Sequence, residues 1–385
     1  MMGTRSYLPG DHPRARWMRM DAASLLKRFF FCEQALIVAQ AGWLGRIADL
    51  DIKTTLSRFA WEDSRVANDL RERVSELRFP SRLMEMGEDA PLIALFAEGV
   101  HAPNAEAFIL SLARVYKPAL LQAYRSYLAQ TDAIADGPTL RALRIAIEDK
   151  AAQLVALERW AAEMSDAAPD RRPLAEAWAA ALQERLAALG GVSLGPLPIA
   201  AEVTLVPGRV PFALAARPAR DPRFHRCRFY WPDIIDPDFP YGEGLRMQLR
   251  SAISHLNEVW AVEAAGAALY TFAETLGWEF VSDAARWLYD EARHVRMGAE
   301  RLKRWGFTPA EIPLGSYIYD SAAGGPSWSW LGMLSYFETK NIGKKVSRAQ
   351  AFAAGGDDVS RHDMEFDWAD ETIHAHFGQR WLKAL

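Results

Sequence analysis

Two Asp-Glu-x-x-His runs, Asp290-Glu291-Ala292-Arg293-His294 and Asp370-Glu371-Thr372-Ile373-His374, lie near the C-terminal end of this 385-residue chain, in segments whose apolar residues recur every three or four positions. A Glu and a His three apart on a helix project from one face, so each run can grip one cation. One such match would arise by chance in a chain of this composition. Two, each preceded by Asp and each downstream of an isolated glutamate in an apolar helix, point to four helices arranged so that four carboxylates and two imidazoles converge. That donor set balances two divalent cations and leaves coordination positions open.

The remaining sequence limits what surrounds the site. The length is about twice that of a usual domain, which predicts two domains or one duplicated domain. A net charge of −4, with arginines dispersed rather than striped, gives no support for nucleic-acid binding. Cys32 and Cys227 are the two cysteines and form no CxxC pair, which predicts a reducing, cytoplasmic setting. The most apolar N-terminal stretch, Phe29 to Leu44, is interrupted by Glu33 and Gln40, so neither a signal peptide nor a membrane span is expected.

Helical periodicity covers 22–48, 51–77, 104–131, 138–165 and 172–189, and returns at 244–276, 282–305, 328–353 and 359–383. Between them, from Gly190-Gly191 to about Tyr241, prolines become dense, and 199–206 has strand character. The expected architecture is therefore all-α. It comprises a helical bundle over 1–192, a proline-rich linker over 193–242 with little strand, and a four-helix bundle over 243–385 with a long connection between its second and third helices.

The halves read as copies. Laying 61–74 over 289–302 matches Arg65 to Arg293, Glu72 to Glu300 and Arg73 to Arg301, and sets Asp63 opposite Glu291 and Val66 opposite His294. Laying Glu158-Arg159-Trp160 over Gln379-Arg380-Trp381 sets Lys150 opposite Glu371 and Gln153 opposite His374. The first half would then be a degenerate bundle without metal ligands, with Lys150 bridging to Asp63 or Glu33 in place of a cation.

Spacing selects the other two ligands. Glu263 precedes the break at Gly277, and Glu291 follows Ser282, a good N-cap, at a comparable axial level. Glu338 and Glu371 flank the turn at 354–357 in the same way. Glu258 lies five residues further from the first turn, about 7 Å along the axis, so Glu263 is the expected ligand. Trp260, Tyr270, Tyr289, Tyr336 and Trp368 are near enough in sequence to line a pocket, and His255, His362 and His376 are left as spare imidazoles.

Residues 244–385 resemble the ferritin-like di-iron carboxylate superfamily, and the Asp-Glu-x-Arg-His form of the first run is similar to the motif of the bacterial multicomponent monooxygenases. The resemblance implies a ferritin-like bundle in which Glu263, Glu291 and His294 serve one metal and Glu338, Glu371 and His374 the other. It also implies Asp290 and Asp370 as acceptors for the imidazole N–H groups. Ribonucleotide reductase small subunits carry a radical tyrosine where this chain has Gly298, so radical generation is not expected. The monooxygenases have a threonine where this chain has Ile342. The implied cofactor is two iron ions, with Mn/Fe or Mn/Mn as alternatives, and the implied activity is O2-dependent oxygenation of a small organic molecule. Electrons would come from a separate donor, since the sequence holds no flavin or nicotinamide fingerprint. Iron oxidation or sequestration without an organic substrate is the second reading.

Overall fold

The computed structural model describes residue 14 and residues 16–198, 206–236 and 238–385; most of the expected strand at 199–206 lies outside the described residues. The chain is all-α, as its periodicity requires. In order the helices are α1 (Arg19–Trp43), α2 (Leu50–Glu76), α3 (Ala90–Glu98), α4 (Ala105–Ser111), α5 (Lys117–Leu128), α6 (Gly137–Ala167), α7 (Arg172–Ala188), α8 (Gly244–Asn257), α9 (Val259–Arg304), α10 (Tyr317–Ala323), α11 (Ser329–Ala354) and α12 (Asp358–Ala384). A π turn over Leu112–Tyr116 joins α4 to α5. Among the described residues the strands are β1 (His225–Cys227) and β2 (Pro313–Gly315), which pair in parallel.

Contacts divide the chain into two compact units that do not follow the sequential boundary expected above. One comprises 1–33, 65–99 and 106–209; the other comprises 34–64, 100–105 and 210–385. The division falls inside α1 and inside α2. The first unit packs Phe29, Phe96, Phe108, Tyr116, Tyr124 and Trp178 at its centre, all fully buried. Its polar interior holds Glu33 in an ion pair with Lys150 at 2.7 Å, the pairing that the repeat anticipates, and Lys117 donating to Gln153 at 2.6 Å.

The second unit contains α8 to α12. Gly277, at φ 78°, reverses the chain inside α9, a conformation that costs glycine little and other residues more. Helix resumes directly after it, so Ser282 sits within α9 rather than capping it. The returning arm lies against α8 so closely that a Cβ on Gly298 would stand 2.3 Å from the backbone nitrogen of Leu256. No side chain, tyrosine included, fits there. α11 and α12 form the other hairpin, closed by Gly356 and by Asp357, whose side chain accepts from the backbone N–H of Ser360 at 3.0 Å and caps α12. The connection between the two hairpins carries β2 and α10. Of the segment expected as a linker, residues 193–209 belong to the first unit and 210–242 to this one, where they supply β1 and place Arg220 and Asp221 in buried positions.

Candidate metal centre

Five of the six expected ligands converge. Glu291 and His294 from α9, Glu338 from α11, and Glu371 and His374 from α12 are all buried. Glu291, Glu338, Glu371 and His374 bring ligand atoms within 4.8 Å of one another, and so do Glu258, Glu291 and His294. His294, Asp367 and Glu371 form a third such group, and His255, Glu258 and Asp367 a fourth. Glu258, Glu291, His294, Asp367 and Glu371 each belong to two of these groups, so the four overlap in one continuous cluster.

Glu263 is the correction. Its carboxylate pairs with buried Lys53 and, at 2.5 Å, with buried Arg220, away from the cluster. Burial pushes the Lys53 ammonium down to about 8 even beside that carboxylate. Axial level was the right measure of only one coordinate. Residues five apart on a helix differ by roughly 140° in azimuth, so Glu258 and Glu263 cannot face the same partner. The helix is also tightened at Glu258, whose N–H bonds back to both Ser254 and His255 at the α8–α9 junction. A signal was present in the sequence: His255-Leu-Asn-Glu258 is the same three-residue spacing in reverse. Asp367, one turn before Glu371, carried the same kind of signal, and His255 is part of the cluster rather than a spare imidazole.

Asp290 and Asp370 act across the hairpins. Asp370 Oδ2 is 3.3 Å from His294 Nε2, and Asp290 Oδ2 is 3.3 Å from His374 Nε2. Each Asp therefore orients the histidine of the other run. Arg293 donates to both carboxylates at 2.5 Å, and Arg286 donates to Asp290 at 2.7 Å. Arg293 belongs to the motif itself, so its role was legible in kind but not in geometry. Trp287 lies under the site, its indole N–H 3.2 Å from Glu291 Oε1 and 3.3 Å from Glu338 Oε1, its ring stacked on His374. Arg301 can only donate, so His255 Nδ1 accepts from it and His255 Nε2–H points to Asp367 at 3.0 Å.

With Nε2 of both ligand histidines turned outward, their Nδ1 atoms face the carboxylates. His294 Nδ1 is 3.2 Å from Glu258 Oε2, and His374 Nδ1 is 3.2 Å from Glu291 Oε1. Yet both Nδ1 atoms, with Glu258 Oε2 and Glu371 Oε2, are buried without a well-formed hydrogen bond. Leaving such atoms unpaired costs about 1–3 kcal/mol each, so a cluster of them facing one another is a site built for something else. Charge agrees: the carboxylates of Glu258, Glu291, Glu338, Asp367 and Glu371, set against the Lys345 ammonium paired with Asp367 and Glu371, leave four negative charges, as many as two divalent cations would balance.

In the protein alone, protons carry the compensating charge. Burial opposes ionisation of Glu291, but His294 and His374 hold its carboxyl down at about 2. Burial likewise opposes charge on His374, and Asp290 and Glu291 nonetheless hold it up at about 9; His294 is raised in the same manner, chiefly by Asp367. Glu371 is pushed well up, first by burial and then by the charge of Glu291. Asp367 stays low despite burial because Lys345, His294 and His255 surround it.

A cavity of about 1260 Å³ opens onto Glu258, Glu291, Glu338 and Glu371. Trp260, Met333 and Phe337 form apolar wall, and of the other aromatics singled out only Tyr336 lines it. Tyr289 instead stacks on Trp61, Tyr270 packs edge-on to Phe212, and Trp368 is 44% exposed.

Residues 207–385, less than half of the chain, match a family described as a protein of unknown function (DUF455), and the matched stretch contains the whole cluster. No curated protein and no solved structure matched the chain. None of the described helices is long and apolar enough to cross a membrane.

Proposed function

We propose that the cluster holds two iron ions, with Mn/Fe or Mn/Mn as the alternatives, in a ferritin-like bundle, and that the protein is an oxidoreductase that uses O2 to hydroxylate a small organic substrate. The observation that carries this reading is the convergence of two inward Nδ1 atoms, without well-formed hydrogen bonds, on Glu258, Glu291 and Glu371, carboxylates that open with Glu338 onto a substrate-sized cavity. Glu258, Glu291 and His294 would hold one ion and Glu338, Glu371 and His374 the other, with Asp367 beside them. When bound, such a pair of reduced ions supplies two electrons together to dioxygen. The balance is one C–H bond and O2, with two electrons and two protons from outside, giving a hydroxylated product and water. The electrons need a separate reductant.

The chain's own residues perform the remaining tasks. Asp290 and Asp370 fix the tautomers of His374 and His294, and Arg293 fixes both aspartates. Trp287 holds Glu291 and Glu338 in register and excludes water beneath them. Trp260 and Phe337 give the cavity an apolar wall, and Lys345 Nζ, 2.8 Å from Glu371, holds that carboxylate in place. The second reading, iron oxidation or sequestration, would favour an access path lined with carboxylates, whereas the wall along α11 carries Lys340, Lys344 and Lys345.

The test is elemental analysis after anaerobic Fe(II) loading, followed by O2 uptake with a chemical reductant. Two irons per chain, lost in Glu291→Ala and His374→Ala, with O2 uptake that is lost with them, is the expected result. A folded protein that takes up no stoichiometric redox metal would overturn the reading.

A further inference from the structure

The cavity above the cluster has one basic wall, although carboxylates, Asp233 and Asp238 as well as those of the cluster, also line it. Lys340, Lys344 and Arg348 recur at four-residue spacing on α11, so they form one stripe along the helix, and all three line the cavity. Most cations near this site have acidic partners: Lys345 has Asp367 and Glu371, Arg250 has Asp233, and Arg301 has Asp363. Among the described residues, no carboxylate lies within ion-pair distance of Lys340, Lys344 or Arg348. Lys340 meets the Tyr336 hydroxyl at 3.0 Å, and Arg348 lies 3.8 Å over the ring of Tyr241, which holds its guanidinium in place while leaving its N–H fork free of a counter-charge. Trp260, Met333 and Phe337 supply apolar lining of the same cavity, with Trp260 packed against Phe337 beside Glu338 in sequence.

We infer that the cavity binds an amphipathic organic anion, its carboxylate or phosphate head on the Lys340, Lys344 and Arg348 stripe and its apolar body extending past Phe337 and Trp260 to Glu338 and Glu291. This rests on the proposed function only for what happens at the buried end. The head group is recognised by charge-assisted hydrogen bonds at the rim, where Arg348 offers a planar fork and the lysines two mobile charges. Anchoring one end fixes which carbon reaches the cluster, so the stripe sets position as well as affinity.

Binding of decanoate and of decyl phosphate, measured by calorimetry against decanol and decyltrimethylammonium, tests the inference. Both anions should bind more tightly than decanol, the cation should bind least, and the preference should shrink as salt is raised. The triple variant Lys340→Gln, Lys344→Gln, Arg348→Gln should weaken the anions by roughly tenfold and leave decanol unchanged. Decanoate preferred over decyl phosphate, or the reverse, assigns the head group. Equal binding of anion, alcohol and cation, or an anion preference untouched by the triple variant, would overturn the inference. Iron content is measured on the same samples: loss of metal with anion binding intact would remove the proposed function and leave this site standing, and the converse result would do the opposite.

Discussion

The buried polar groups around Glu33 and those around Glu291 face the same difficulty and meet it differently. Glu33 is fully buried, and its neighbours answer its charge in kind: Lys150 pairs with it and the Tyr124 hydroxyl donates to it, while Lys117 is matched by Gln153. None of those side-chain atoms is left without a hydrogen bond. Around Glu291 the carboxylates outnumber the ammonium, and four buried atoms, His294 Nδ1, His374 Nδ1, Glu258 Oε2 and Glu371 Oε2, face the cluster without a well-formed hydrogen bond. A buried charge demands a counter-charge, and the chain can supply it covalently as lysine or leave room for it to arrive from solution. The alignment that sets Lys150 opposite Glu371 and Gln153 opposite His374 therefore contrasts a closed cluster with an open one.

The contrast breaks most visibly at Lys150. Lys150→Ala should cost about 3–5 kcal/mol in chemical denaturation, because Glu33 is left charged and buried. Its metal content should not change. If Lys150→Ala unfolds at the wild-type denaturant concentration, the closed cluster is not held by that pair.

The two glutamates of the first hairpin give the next largest separation. Glu258→Ala should lower bound iron, read by elemental analysis, with little loss of stability. Glu263→Ala should do the reverse, since it strands the buried Lys53 and Arg220, for a few kcal/mol by denaturation. Iron lost from Glu263→Ala alone would restore Glu263 as the ligand.

The outer aspartates should matter less. Asp290→Asn and Asp370→Asn keep the shape but remove the charge that orients His374 and His294, and each should weaken metal binding by roughly 10–100-fold in a chelator competition. Affinities within twofold of wild type would mean that the crossed arrangement is incidental.

Acidity gives the smallest and sharpest difference. In the proposed site a metal would displace the proton at His374, whose pKa stands at about 9, so affinity should climb with pH toward that value and level off above it. Calorimetry in buffers of different ionisation enthalpy should report proton release at pH 7. In the metal-free protein the raised pKa contributes stability that is complete below the ordinary 6.5 and is lost as pH rises through about 9. Its melting temperature should fall over that interval, while that of the iron-loaded protein should not. Parallel curves would count against a shared position for proton and metal.

Much of this was legible before any fold was known. The long helices follow from periodicity to within about five residues, whereas the short α3 and α10 and the break between α8 and α9 at Glu258 do not. The paired runs place Glu291, His294, Glu371 and His374 on inward faces because three residues span most of one turn. What spacing cannot give is azimuth relative to a partner helix. Glu263 has the more apolar neighbours and the better axial level, yet it faces Lys53 and Arg220, two cations that come from segments distant in sequence. Lys345 and Trp287 were invisible for the same reason, since a lysine or tryptophan on an amphipathic helix carries no mark of the side chains it meets.

By itself, then, the sequence determined that the chain is helical, that two Glu-x-x-His faces exist, and that aspartates precede them, because each of these depends on contacts within a few residues. Only the tertiary structure decided that Glu258 rather than Glu263 completes the cluster, that each aspartate serves the opposite histidine, and that a basic stripe on α11 borders the cavity. These depend on which helix faces which, and that is set by burial and charge pairing summed over the whole unit.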